Sequence, residues 1–187
     1  MTDAVAGLLL AAGAGARMGR PKALVRDPDG GSWLLRSIGV LRDGGCAEVT
    51  VVLGARADAA RQLLDGGSVA VVEAADWAEG MGASLRAGLR SLAGSDAVAV
   101  CLHLVDLPDV GPEAVERVRA AAAPDALARA VYAGRPGHPV LLGRDHWAAV
   151  ADSVRGDRGA RAYLETHGVR DIDCSDLATG RDVDRLP

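Results

Sequence analysis

Short apolar runs alternate along this chain with stretches in which apolar residues recur at helical spacing, and that alternation sets the expected fold. Residues 5–12, 49–53, 69–73 and 97–105 are nearly unbroken runs rich in Val, Leu and Ala, the pattern of strands covered on both faces. Residues 33–41, 56–64, 82–92 and 112–123 read as the helices between and after them. Ser32 suits an N-cap for the first of these, Gly44-Gly45 a stop, and Pro112 a first helical turn. Farther on, residues 126–132 and 139–142 read as strands flanking a turn at Gly134-Arg135-Pro136-Gly137. Residues 147–154 and 160–167 read as short helices, and 169–172 as a last strand. Strands alternating with helices build βαβ units, so the pattern predicts one α/β domain over residues 1–187 with a largely parallel sheet.

Composition narrows the function classes. The chain is 49% hydrophobic, yet no apolar run approaches the ~20 residues of a membrane span, so no membrane partner is expected. Met1-Thr2-Asp3 carries no basic region ahead of an apolar stretch, which argues against a signal peptide and for a cytoplasmic protein. A formal charge of −4 is the wrong sign for a general nucleic-acid binder. Cys46, Cys101 and Cys174 are scattered without a CxxC, and the four histidines have no ligand spacing, so neither zinc nor a disulfide framework is indicated. Phe is absent, and the core must rest on Leu, Val and Ala.

In a doubly covered sheet, ligands bind outside the carboxyl ends of the strands, so the residues that end strands are the candidates. The first strand runs into Gly13, Gly15 and Gly19, with Arg17, Arg20, Pro21 and Lys22 among and after them. Glycines let backbone N–H groups approach a ligand and form an anion nest, while Arg and Lys add charge for phosphate oxygens. The P-loop requires Gly-Lys-Ser/Thr, which is absent, and the glycine spacing is one residue too long for the dinucleotide fingerprint. A ligand-free Gly/Ala turn is the alternative; cations at these offsets favour a polyphosphate. Asp106 ends the fourth strand, where a carboxylate serves either as a hard-oxygen ligand for Mg²⁺ or as an Asx-turn before Leu107-Pro108.

The stretch LLLAAGAGARMGRPK, residues 8–22, resembles the signature loop of the molybdenum-cofactor nucleotidyltransferases, roughly L-x-[AG]-G-x-[SAG]-x-R-[ML]-G-x-x-K. The resemblance implies a Rossmann-like three-layer α/β/α sandwich with a mostly parallel sheet, the nucleotide-diphospho-sugar transferase fold. It also implies a nucleoside triphosphate and Mg²⁺ bound there, with NMP passed to a small phosphorylated acceptor such as molybdopterin. Nucleotide-binding roles follow for Leu10, Ala11, Ala12, Gly13, Gly15, Arg17, Met18, Gly19 and Lys22. Ala11-Ala12-Gly13 is closer to the cytidylyltransferases than to the guanylyltransferases, which usually carry Ala-Gly-Gly, so CTP is the favoured donor.

Five further segments extend the resemblance. Residues 79–89 resemble G-M-[SG]-x-S-[LI]-[RK]-x-G-[LIV] at a helix start and add Gly82 and Ser84 on the nucleotide side; a capped helix with a stripe of Met81, Leu85 and Leu89 uses the same residues. Asp106-Leu107-Pro108 matches the family's D-[MLQ]-P, with Val105 where Gly is frequent. Asp182-Val183-Asp184 resembles the start of D-[IV]-D-T-P-E-D and makes Asp184 the second metal candidate, against the reading of an acid-rich solvated tail. Residues 134–139 resemble P-x-G-H-P and residues 156–161 resemble G-D-x-G-A-R, which puts His138 and Arg161 on the acceptor side. Asp157 as a helix N-cap is the simpler reading of the latter segment. His103 and Trp77 receive no role.

The expected chemistry is in-line attack of an acceptor phosphate on the α-phosphorus, with Arg17, Lys22 and Asp106 as catalytic residues and no side-chain nucleophile. Two rivals stand beside it. Some relatives with similar loops are described as flavin- or nicotinamide-linked oxidoreductases acting on nicotine-derived pigments, which makes an NAD(P)H-dependent oxidoreductase one rival, and a non-catalytic module could bind a nucleotide while delivering cofactor to a molybdoenzyme or its chaperone.

Overall fold

The computed structural model describes residues 4–184. Its seven strands form one sheet in the order β3-β2-β1-β4-β6-β5-β7. The first half is β1 (Val5–Leu10), α1 (Trp33–Asp43), β2 (Val49–Leu53), α2 (Ala57–Gln62), β3 (Ala70–Glu73), α3 (Met81–Ser91) and β4 (Ala99–Leu104). The second half is α4 (Pro112–Arg119), β5 (Leu127–Tyr132), β6 (Arg135–Gly143), α5 (Trp147–Ser153), α6 (Arg161–Thr166) and β7 (Arg170–Asp173). Strands β3, β2, β1 and β4 are mutually parallel, and β6 runs antiparallel between β4 and β5. The sheet is therefore mostly parallel, with helices on both faces.

The strand period of two divides the apolar run of β1 between two cores. Val5, Leu9 and Ala11 join the layer beneath α1, α2 and α4, while Ala6, Leu8 and Leu10 join the layer beneath α3, α5 and α6. All six residues of β1 are buried, as expected for a central strand of a doubly covered sheet. Small residues set the spacing: a Cβ on Gly88 of α3 would lie 2.7 Å from Leu8 Cδ1, so the helix sits close to β1 because that position is glycine. Ser32 caps α1, its hydroxyl accepting from Leu35 N–H at 3.4 Å.

The hairpin departs from its sequence expectation. The turn falls at Ala133-Gly134, both at positive φ (49° and 76°), and Arg135, Pro136, Gly137 and His138 already belong to β6. Two successive positive-φ residues give the two-residue turn that matches strand twist, so Gly134 makes the turn and the later Pro-Gly does not. Pro136 is tolerated because β6 outruns β4 at this end, with pairing to β4 confined to Val140–Gly143. Asp157 also departs: α6 is preceded by Ala160 without a side-chain cap, and Asp157 lies in a separate short 3₁₀ turn, Gly156–Arg158.

Strand β1 connects to β2 on one side, and the chain crosses back to place β4 on the other. The carboxyl ends of β1 and β4 thus flank the switch point of the sheet, where a crevice must open.

Candidate active site

The loop after β1 and the turn after β4 form one cleft at that switch point. Ala11 N–H donates to Val52 O at 2.9 Å and Ala55 N–H to Ala12 O at 2.9 Å, which fixes the loop root against β2. Gly15, at φ 61°, cannot carry a Cβ, because one would fall 1.9 Å from Arg20 O. That fold-back returns the chain to Pro21 and starts the short 3₁₀ turn Lys22–Leu24, whose first residue aims its side chain into the cleft.

Lys22 Nζ donates to Asp106 Oδ2 at 2.5 Å and to Asp184 Oδ1 at 2.7 Å, and Arg17 pairs with the other oxygen of Asp184. Val183 N–H donates to Asp106 O at 3.0 Å, which ties the segment carrying Asp184 to the end of β4. Thr179 adds a second tie, donating from N–H and hydroxyl to Asp109 at 2.7 and 2.5 Å. Burial alone would lower the pKa of Lys22, but the hydrogen bonds and charges of Asp106 and Asp184 outweigh it and raise the ammonium above its ordinary value. The hydrogen bond from Lys22 holds the Asp184 carboxyl below its usual range. Lys22 is thus a cation and Asp184 an anion throughout the neutral range.

A ligand atom from each of Asp106, Asp182 and Asp184 lies within 4.8 Å of the others. Three carboxylates at this spacing are hard-oxygen donors suited to Mg²⁺ or Mn²⁺. Asp182 is a residue the sequence reading left among the solvated acids of the tail. The two-residue spacing that puts Asp182 and Asp184 on one side of an extended chain is the signal in the sequence that could have found it.

The cleft measures about 420 Å³ and is lined by Leu10, Ala11, Ala12, Gly13, Gly15, Arg17, Met18, Lys22, Ser84, Asp106 and Asp184 among the residues named from sequence. Gly19 and Gly82 lie off this lining. A Cβ on Gly82 would meet Arg155 N at 3.1 Å, so that glycine serves the approach of the 155–156 backbone to α3. Trp77, assigned nothing from sequence, forms part of the wall, packed over Gly54 so closely that a Cβ there would lie 2.6 Å from Trp77 Cβ.

A second cleft of about 480 Å³ adjoins the first, sharing Met81 and Asp157 with it. His138, Arg161, Arg129, Arg135 and Arg158 line it over an apolar floor of Leu85, Leu102 and Val140. His138 and Arg161 therefore share one recess, separate from the nucleotide-side residues but continuous with them. Arg161 is exposed and paired with Glu165 at 3.0 Å. Burial lowers the pKa of His138 to about 4, so it stands as a neutral imidazole.

Fold and site together define a mostly parallel α/β protein with a carboxylate–lysine centre at its switch point. Residues 7–172 match the model of the MobA-like NTP transferase domain, and the chain belongs to that family. It is 39% identical to the nicotine blue oxidoreductase of Paenarthrobacter nicotinovorans, over 97% of this chain and 93% of that one. It is 35% identical to the molybdenum cofactor guanylyltransferase of Rhodobacter capsulatus, over 78% of this chain and 66% of that one. Among solved structures it resembles Rv0371c of Mycobacterium tuberculosis H37Rv, with a TM-score of 0.83 and 28% identity over 99% of this chain and 95% of that one. The same mycobacterial protein has been solved in complex with manganese, matching at 26% identity and a TM-score of 0.76 over 91% of this chain and 88% of that one.

Proposed function

We propose that residues 1–187 act as one Mg²⁺-dependent nucleotidyltransferase domain that moves CMP from CTP to a phosphorylated acceptor, with molybdopterin or the molybdenum cofactor as the acceptor of choice. The observation that carries this reading is Lys22 facing Asp106 and Asp184 beside a glycine-rich loop at the switch point. The acceptor phosphate forms a bond to the α-phosphorus as the α–β bridging bond breaks and pyrophosphate leaves. Arg17, Lys22 and the loop amides of residues 10–19 neutralise and orient the triphosphate. Ser84, in the cleft wall at the start of α3, offers a hydroxyl to the nucleotide. Asp106 and Asp184, with Asp182 beside them, would hold Mg²⁺, which supplies charge neutralisation on the phosphate oxygens. His138 and Arg161 in the adjoining recess receive the acceptor. A single proton-transfer catalyst is not required, because catalysis of this kind rests on positioning and electrostatics.

CTP is supported by Ala12 where guanylyltransferases carry Gly; the Rhodobacter relative, named for guanylyl transfer, makes GTP the competing donor. The manganese complex of the mycobacterial neighbour supports a divalent ion in this fold. A cytoplasmic site of action, alongside a molybdoenzyme or its chaperone, accords with this chemistry, and no helix among the described residues is long and apolar enough to cross a membrane.

The 39% identity to a nicotine blue oxidoreductase favours a second reading, reduction of a pigment by a nicotinamide cofactor. One experiment separates the two: calorimetric titration with CTP, GTP and NADPH, with and without Mg²⁺, alongside a pyrophosphate-release assay on wild type and Lys22→Ala. Nucleotidyl transfer requires Mg²⁺-dependent binding of one triphosphate and loss of at least a hundredfold in turnover in Lys22→Ala, with an unchanged circular dichroism spectrum. NADPH binding with indifference to every triphosphate would overturn it.

A further inference from the structure

The space between the carboxylates is held by the protein's own cation. Lys22 Nζ sits 2.5 Å from Asp106 Oδ2 and 2.7 Å from Asp184 Oδ1, in the cluster whose ligand atoms lie within 4.8 Å of one another. A divalent ion at the usual ~2.1 Å from such oxygens would stand only a few ångströms from that ammonium, two like charges on one pair of anions. Ammonium and metal therefore compete for the same two carboxylates, each weakening the other's hold. The lysine side chain is flexible, and its root is the first residue after the glycine-rich loop, so an anion seated on the loop offers the ammonium another partner. Side chains of Lys22 and Asp106 are only 18% and 12% exposed, which limits the water and salt that would otherwise weaken this competition.

We propose that the Lys22 ammonium is a built-in place-holder for the metal: it occupies the carboxylates in the free protein and yields them when triphosphate draws it away. Nucleotide and metal then bind cooperatively, and the nucleotide-free protein takes up divalent ions weakly. The negative charge of the cluster is partly offset between turnovers, and the metal is admitted only with its substrate. This inference rests on the assignment of Asp106 and Asp184 as metal ligands.

The test is Mn²⁺ titration of the nucleotide-free protein at low ionic strength, followed by electron paramagnetic resonance of the free ion. Wild type, Lys22→Met and Lys22→Gln are compared, each checked by circular dichroism; the glutamine variant retains a hydrogen-bond donor if the methionine variant folds poorly. Removing the ammonium should tighten Mn²⁺ binding between about five- and 150-fold, the usual range of site–site coupling. The gain in Mn²⁺ affinity brought by CTP should shrink by the same factor, because in the nucleotide complex the ammonium has already left the carboxylates and its removal changes nothing there; CTP affinity in the presence of Mn²⁺ reports the same coupling. Adding Asp106→Asn to Lys22→Met should abolish the tightened binding. Equal Mn²⁺ affinity in wild type and both variants, with Asp106-dependent binding, would overturn the place-holder and leave the metal site standing. Mn²⁺ binding indifferent to Asp106→Asn would overturn the ligand assignment itself, and the place-holder with it.

Discussion

Gly80 sets how the two clefts meet. It is held at φ 114°, ψ −171°, a region that only glycine occupies comfortably, and a Cβ there would fall 2.4 Å from Asp157 Oδ1 and 2.7 Å from Gly156 C. Gly80→Ala therefore strains the backbone and pushes the 156–157 turn off the start of α3. The expected cost is about 1–3 kcal/mol, read as a fall in Tm of roughly 3–10 °C together with weakened acceptor binding. Individual residues were unevenly legible in the sequence. Arg17, Lys22 and Asp106 could be named because charge at a strand end beside glycines has few uses. Asp182 could not, because an acid in an acid-rich tail carries no mark of what it will face. Trp77 could not either: its place on the wall depends on Gly54, a residue on another strand connection, being small enough to let it lie down.

At the scale of elements, the strands were easier to read than their ends. The long apolar runs of β1, β2 and β4 are covered on both faces, and that demand leaves a continuous signal in the sequence. Strand β7 is largely exposed, so its pattern is weak, and its bounds lie at Arg170–Asp173, one residue beyond the expected ones. The hairpin was misplaced because Pro-Gly is the louder turn signal, whereas the turn is made by Ala133 at positive φ beside Gly134. Helix α4 ends at Arg119, earlier than the apolar pattern suggests: Ala121 N–H and Ala122 N–H close three-residue turns on Val118 O and Arg119 O, and the chain runs on into Pro124, which cannot continue a helix. The carboxyl-end rule for parallel sheets did most to locate the site, because it selects the ends of β1 and β4 before any side chain is considered.

For the whole molecule, a buried histidine links stability to pH. His103 is fully buried in β4, and neither ring nitrogen has a hydrogen-bond partner. Burial, with a smaller contribution from the nearby His138, lowers its pKa to about 3. The unfolded chain, with an ordinary imidazole near 6.5, binds this proton more readily than the native state, so stability is complete above pH 6.5 and is lost as pH falls toward 3. Between pH 7 and pH 5 wild type should lose about 2 kcal/mol more unfolding free energy than His103→Leu, measured by urea denaturation at both values. The tryptophans have a different consequence. Trp33 and Trp147 are 3% and 5% exposed, each with its indole N–H donated inside the fold, to Asp27 and to Leu142 O. Trp77 alone of the three lines the cleft at the ends of β1 and β4. The protein thus carries its own optical gauge of occupancy: a nucleotide base entering beside Trp77 should change the indole emission against a steady background from the other two. In Trp77→Phe that change should vanish while the background persists, giving a label-free titration signal for any candidate donor.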